Sequence, residues 1–105
     1  MANRHRGEIE AVLGERSYTL CLTLGALAEL EDAYGGIDLM RLAERFEGGR
    51  IKARDAIRLI GAGLRGAGNS VSDQEIATLT AQGGAVGYVS IVSELLQATF
   101  GAEPG

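Results

Sequence analysis

Tryptophan is missing from this chain of 105 residues, and histidine, cysteine and proline occur once each. A lone Cys21 excludes an internal disulfide and any cysteine-cluster metal site, and is read here as a small packed side chain. His5 sits in a basic arm, Asn3-Arg-His-Arg6, far from any serine that could form a triad. Pro104 lies at the far end, so no proline-rich linker interrupts the chain. Five aromatic side chains, Tyr18, Tyr34, Phe46, Tyr88 and Phe100, leave the interior to Leu, Ile, Val and Ala. An apolar run of about 20 residues, as a membrane span needs, does not occur, nor does a signal-peptide pattern. The product is therefore expected in the cytoplasm, without a membrane partner.

What the chain does contain is organised. Residues 7–22 read as a tight β-hairpin, with Gly14-Glu15 at the centre of a type II′ turn. Leu13 then faces Arg16, Ala11 faces Tyr18 and Ile9 faces Leu20. Alternation puts Ile9, Ala11, Leu13, Tyr18 and Leu20 on one side, with Glu8, Glu10, Ser17 and Thr19 on the other. The two glutamates read as a solvated edge that resists sheet-to-sheet aggregation. A lone hairpin is marginal in water, so the helix after it should cover its apolar side.

Thr23 is a plausible N-cap for that helix, which would turn Leu24, Leu27, Leu30 and Tyr34 inward, expose Glu29 and Asp32, and stop at Gly35-Gly36. Asp38 can cap a second helix lined by Leu39, Leu42, Ala43 and Phe46 and ended by Gly48-Gly49. A third, over 51–64, would face Ala53, Ile57, Ile60 and Leu64 inward. Its Ala56, Leu59 and Gly63 form a small-residue strip suited to close approach. Ser72-Asp-Gln-Glu75 is a capping box for a short helix through Ile76 and Leu79 to Gly83-Gly84. The last helix, 85–100, carries a broad apolar stripe of Ala85, Tyr88, Val89, Val92, Leu95, Leu96 and Phe100, and Glu94 is the only charge between 76 and 102. So wide a stripe is either buried or covered by a partner. The expectation is an α+β fold in one small domain. A basic flexible arm (1–6), the hairpin (7–22), four to five helices (23–100) and a tail (101–105) follow in order, with the core made by hairpin, first helix and last helix.

These same segments resemble a known family. Arg6-Gly-Glu, the hairpin, Tyr18-Thr-Leu-Cys-Leu-Thr-Leu-Gly-Ala-Leu-Ala-Glu-Leu-Glu31, Leu42-Ala-Glu-Arg-Phe46, Ile60-Gly-Ala-Gly-Leu-Arg-Gly-Ala-Gly68, Val71-Ser-Asp-Gln-Glu75 and Leu95-Leu-Gln-Ala-Thr-Phe-Gly101 are similar to the small tail proteins of gene transfer agents and siphophage-like particles. That family is grouped with phage tail assembly chaperones and is also labelled a tail tube protein. The resemblance implies a non-catalytic role in tail morphogenesis, with the tape-measure and tail tube proteins as partners and no cofactor. The alternative it leaves open is a structural tube or connector subunit, located in the assembled tail. Against that alternative, a tube subunit normally closes a ring by sheet pairing, and this chain offers one short hairpin.

Charge is distributed in blocks. Residues 41–65 carry a net +4 between two flanking segments of −4 each. Such blocks neutralise each other within one fold or between copies, which allows a homo-oligomer. Arg54, Arg58 and Arg65 fall within about 40° of one another at 100° per residue. They read as a solvated helix surface, a docking stripe for an acidic segment such as Glu29 and Asp32 of a neighbouring subunit, or a nucleic-acid contact. Overall acidity and the lack of a nucleic-acid motif argue against the last. Gly61-Ala-Gly-Leu-Arg-Gly-Ala-Gly68 closes a helix and does not open one, unlike a phosphate-binding loop. The candidate partner surface is thus Arg54, Arg58 and Arg65 together with Val89, Val92, Leu96 and Phe100. With no catalytic or ligand-binding constellation to depend on, the chain should melt at the same temperature with and without a chelator. A reproducible drop would expose a metal site.

Overall fold

The computed structural model describes residues 3–47, 50–81 and 83–101. It is α+β, an antiparallel hairpin of β1 (Glu8–Leu13) and β2 (Arg16–Cys21) followed by α1 (Leu24–Ala33), α2 (Leu39–Glu47), α3 (Ala53–Gly66), α4 (Asp73–Ile76) and α5 (Ala85–Phe100). The expected stops at 48–49 and the tail at 102–105 lie outside the described residues. The expected arm, 1–6, is described from residue 3 onward. Arg4–Arg6 form a 3-10 turn, and the Asn3 carbonyl accepts from the amides of Arg6 and Glu8 at 2.9 and 3.0 Å.

The hairpin has the expected register, Leu13 opposite Arg16, Ala11 opposite Tyr18 and Ile9 opposite Leu20. Gly14 has φ +65° and no described non-glycine residue has positive φ, which fits the II′ turn. Ile9, Ala11, Leu13 and Leu20 are buried and Tyr18 is half-buried. Beyond expectation, Leu13 also bridges Ala81, and the Gly14 amide donates to the Thr80 carbonyl at 2.6 Å. Residues 80–81 therefore return to the edge of β1 through an isolated bridge. That turn back to the sheet is why α4 stops at Ile76 and does not continue past Leu79. The Tyr88 hydroxyl secures the same segment by donating to the Leu79 carbonyl.

The core is centred elsewhere than expected. All six residues from 59 to 64 are buried, because β2, α1, α4 and α5 surround α3. Ala53, expected inward, is exposed, and Ile57 is half-buried. The enabling residues are glycines. A Cβ on Gly63 would lie 2.9 Å from Leu95 Cδ2 and 3.3 Å from Leu20 Cβ, and one on Gly66 would lie 2.1 Å from the Cys21 carbonyl oxygen. Gly66 also approaches Ala26 and Thr23, so α3 meets α1 on its Ala26 side. This rotates the inward face of α1 to Ala26, Leu27 and Leu30 and leaves Leu24, expected inside, 79% exposed. Thr23 caps α1 through its Oγ1, Asp38 caps α2, and Ser72 and Glu75 form the expected capping box.

Gly66→Ala should be among the most destabilising single substitutions, because the obstructing atom is backbone and cannot rotate away. A loss of roughly 2–4 kcal/mol is expected. Thermal melting should show it as a fall of about 10 °C or more. A wild-type melting curve would show that α3 can move off β2 freely.

Candidate functional site

The described surface offers one extended apolar trough. Its floor is α5, a helix of 16 residues, and hence about 24 Å long. In its C-terminal half, Val89, Val92, Leu96 and Phe100 face Met40, Ala43 and Phe46 of α2 across a hollow of about 650 Å³. In its N-terminal half, Ala85, Tyr88 and Val89 face Ile57, Ile60 and Ile76 across a second hollow of about 320 Å³. Ile51 and Val89 line both, so the two adjoin along α5. Met40 is 73% exposed and Val89 53%.

The four expected apolar residues of α5 thus gather on one surface, with different roles. Val92 is 1% exposed and belongs to the hydrophobic core. It forms the bed of the trough. Val89, Leu96 and Phe100 remain accessible from outside. Met40 and Ile51 were not anticipated. Met40 stands one residue off the inward face of α2, and Ile51 precedes α3, so neither follows from the periodicity of a single helix.

The three arginines do not form one free stripe. Arg65 is held inside its own fold, bonded to the Glu29 carboxylate, 3.0 Å from Asp73 Oδ1, and donating to the Val71 carbonyl at 3.0 Å. The Glu29 carboxylate foremost, with Asp73, holds the Arg65 guanidinium pKa above its ordinary value against burial, which lowers it. Glu29 therefore pairs within the chain, whereas the docking-stripe alternative placed it on a neighbouring subunit. Arg58 is half-buried with its guanidinium 5.0 Å from the Tyr34 ring centre, and of the three only Arg54 is exposed.

Arg58 belongs to a compact cluster on α1, α2 and α3. Arg45 stacks on Tyr34 at 4.4 Å, Tyr34 meets Phe46 edge-on at 5.6 Å, and the Tyr34 hydroxyl donates to Asp55 Oδ1 at 2.5 Å. Asp55 is 5% exposed, and its other oxygen accepts the Lys52 amide at 3.0 Å, closing the first turn of α3. Burial alone would raise the Asp55 pKa. The Tyr34 hydroxyl, the Lys52 amide and the charges of Arg45 and Arg58 outweigh it and hold the carboxyl below the usual aspartate value. Burial, then the bond to Asp55, raises the Tyr34 pKa, so the phenol stays a donor. The cations nearest the trough come from beside this cluster. Arg45, Arg50 and Lys52 line a hollow that shares Ile51 with both halves of the trough.

Among the described residues, no group of three or more His, Cys, Asp or Glu could hold a metal ion. No helix described is long and apolar enough to cross a membrane.

A lowered native pKa makes Asp55 stabilise the fold above its unfolded value, near pH 4, and lose that contribution as pH falls further. Asp55→Asn should cost about 1–3 kcal/mol at neutral pH by weakening a buried network. It should also flatten the loss of stability below about pH 4. Urea unfolding at a series of pH values checks both, and parallel curves for the two proteins would remove Asp55 from the acid response.

A family model described as phage tail tube protein, GTA-gp10, matches residues 6–102. Neither a curated protein nor a solved structure matches the chain.

Proposed function

The chain belongs to the phage tail tube protein family of GTA-gp10 and is a phage-tail-related protein, and from that premise we propose that it is a non-catalytic tail assembly chaperone that holds the tape-measure protein until tail tube subunits replace it. The observation that carries this reading is the trough along α5, with Met40 and Val89 open to solvent beside Leu96 and Phe100. Burying an apolar side chain of that size is worth about 1.5–3 kcal/mol. A few such contacts per copy give weak, reversible holding, and many copies along a long client add up. Reversibility matters, because a holder must leave when the tube polymerises. The place of action on this reading is the bacterial cytoplasm.

Charge beside the trough adds selectivity. The sequence pointed to Arg54, Arg58 and Arg65, but Arg65 is engaged internally. Arg50 and Lys52, flanking Ile51, are both exposed and take over that role. Exposed pairs contribute only about 0–1 kcal/mol each and weaken with salt.

The family description itself favours a second reading, a subunit retained in the finished tail. That reading predicts stoichiometric amounts in purified particles, whereas a chaperone is absent or scarce there. The direct test co-expresses the tape-measure protein with wild type or with a Met40→Asp/Val89→Asp variant. Both sites are exposed, so the variant should fold normally, by circular dichroism, and keep at least about tenfold less client soluble. Arg50→Glu/Lys52→Glu should give a smaller loss that grows at low salt. Equal client solubility with a folded Asp variant would clear the trough of this role. If wild type also fails to hold the client and particles contain the protein stoichiometrically, the structural reading replaces the chaperone one.

A further inference from the structure

The charged side chains beside the trough are ordered along α5. Toward the C-terminal end of α5, the hollow that holds Leu96 and Phe100 is also lined by Glu44 and Glu47, and by no cation among the described residues. Toward the N-terminal end, the hollow beside Ala85 and Tyr88 is lined by Lys52, and by no carboxylate among the described residues. Arg50 joins Lys52 in the adjoining hollow at Ile51, whose other charges, Arg45 and Asp55, pair with each other at 3.8 Å. Glu44, Glu47, Arg50 and Lys52 are all exposed, and none has an ion-pair partner among the described residues.

The walls decide the shape of a guest. α2, α3 and α5 use their main-chain amides and carbonyls within their own turns. The Tyr88 hydroxyl is already taken by the Leu79 carbonyl. An extended guest would find no ladder of partners here and would bury its own N–H and C=O groups unpaired. A helix satisfies those groups internally and can lay an apolar face on Val89, Leu96 and Phe100. Spanning the 16 residues of α5 takes about four helical turns. The direction of the guest follows from its own dipole. Free amides at a helix start favour carboxylates in the first turn, and free carbonyls at its end favour cations in the last. A helix so charged places its first turn beside Arg50 and Lys52, and its last beside Glu44 and Glu47, only if it runs the same way as α5.

Resting on the reading of the trough as the client-holding surface, we propose that its guest is an amphipathic helix with acidic residues in the first turn and basic residues in the last, lying parallel to α5. A second copy of this chain does not supply that helix. Among the described α-helices only α3 has an acid in its first turn and a base in its last, Asp55 and Arg65. Both are bonded inside the fold, and α3 is enclosed by its neighbours. The guest is therefore a different protein.

The test uses the whole protein and two synthetic helices. One is Glu-Glu-Leu-Ala-Gln-Leu-Leu-Ala-Gln-Leu-Ala-Gln-Leu-Lys-Lys, and the other has the same core with the terminal pairs exchanged. By fluorescence anisotropy at low salt, the first should bind about three- to tenfold tighter than the second, and high salt should shrink the preference. The preference should invert in a Glu44→Lys/Glu47→Lys/Arg50→Glu/Lys52→Glu variant. That comparison cancels any difference in helicity between the peptides. On the wild-type protein, a nitroxide on the first residue of the first peptide should broaden the amide NMR signals of Ala77 and Tyr88. One on its last residue should broaden those of Met40 and Gly101, a result that does not depend on the variant folding. Equal affinity of the two peptides, an unchanged preference in the folded variant, or broadening in the opposite order overturns the proposal and leaves the trough as a client surface. If neither peptide binds while wild type still keeps the tape-measure protein soluble, the proposal falls and the chaperone reading stands. If client solubility fails as well, both fall.

Discussion

Van der Waals contact between α3 and the hairpin is the constraint on which the other packing depends. Gly63 and Gly66 present backbone where a side chain would stand, and Leu20, Leu95 and the Cys21 carbonyl occupy that space. At this separation the six residues of 59–64 lose their solvent side and become the centre of the core. α1 must then present Ala26 to Gly66, which turns Leu24 outward. α5 must deliver Leu95 to Gly63, which fixes the rotation of α5 about its axis and hence which of its apolar residues remain outside. The trough is a consequence: a helix with too broad an apolar stripe, pinned along one line, leaves Val89, Leu96 and Phe100 at the surface.

Electrostatics follow the same logic of enclosure. The +4 block of residues 41–65 gives the impression of a basic face, yet the fold spends several of its cations internally. Arg65 joins α3 to Glu29 on α1 and to Asp73 on α4, while Arg45 and Arg58 flank Tyr34 above the buried Asp55. These ties lock α1, α2, α3 and α4 to each other where the hydrophobic contacts end. The cations left at the surface beside apolar contact area are those of the α2–α3 connection.

Local signals in the chain were legible because their physics is local. The hairpin register depends on alternation and on a glycine at the one turn position needing positive φ. The caps at Thr23, Asp38 and Ser72 depend on a side chain and amides two or three residues away. Stripe assignments held for Leu42 and Phe46 of α2 but not for Leu39 at its start, and failed where several neighbours face a helix. On α3 the expected Ala53 and Ile57 gave way to a fully enclosed stretch, since periodicity assumes a solvent side. The arginine alignment was correct as geometry on one helix. It could not reveal that Glu29 and Asp73, 36 residues before and 8 after Arg65, would claim that side chain.

The α+β class, the hairpin and its register, the capped helix starts at Thr23, Asp38 and Ser72 and the family were all legible in the chain, because short-range periodicity, capping and turn chemistry carry that information. Tertiary structure alone decided which apolar residues face outward, which cations are free, and that residues 80–81 return to β1. Those outcomes depend on distances between segments far apart in the chain. At Gly63 and Gly66 they are settled by the absence of a single carbon atom, whose consequence exists only once Leu20, Cys21 and Leu95 have been brought against it.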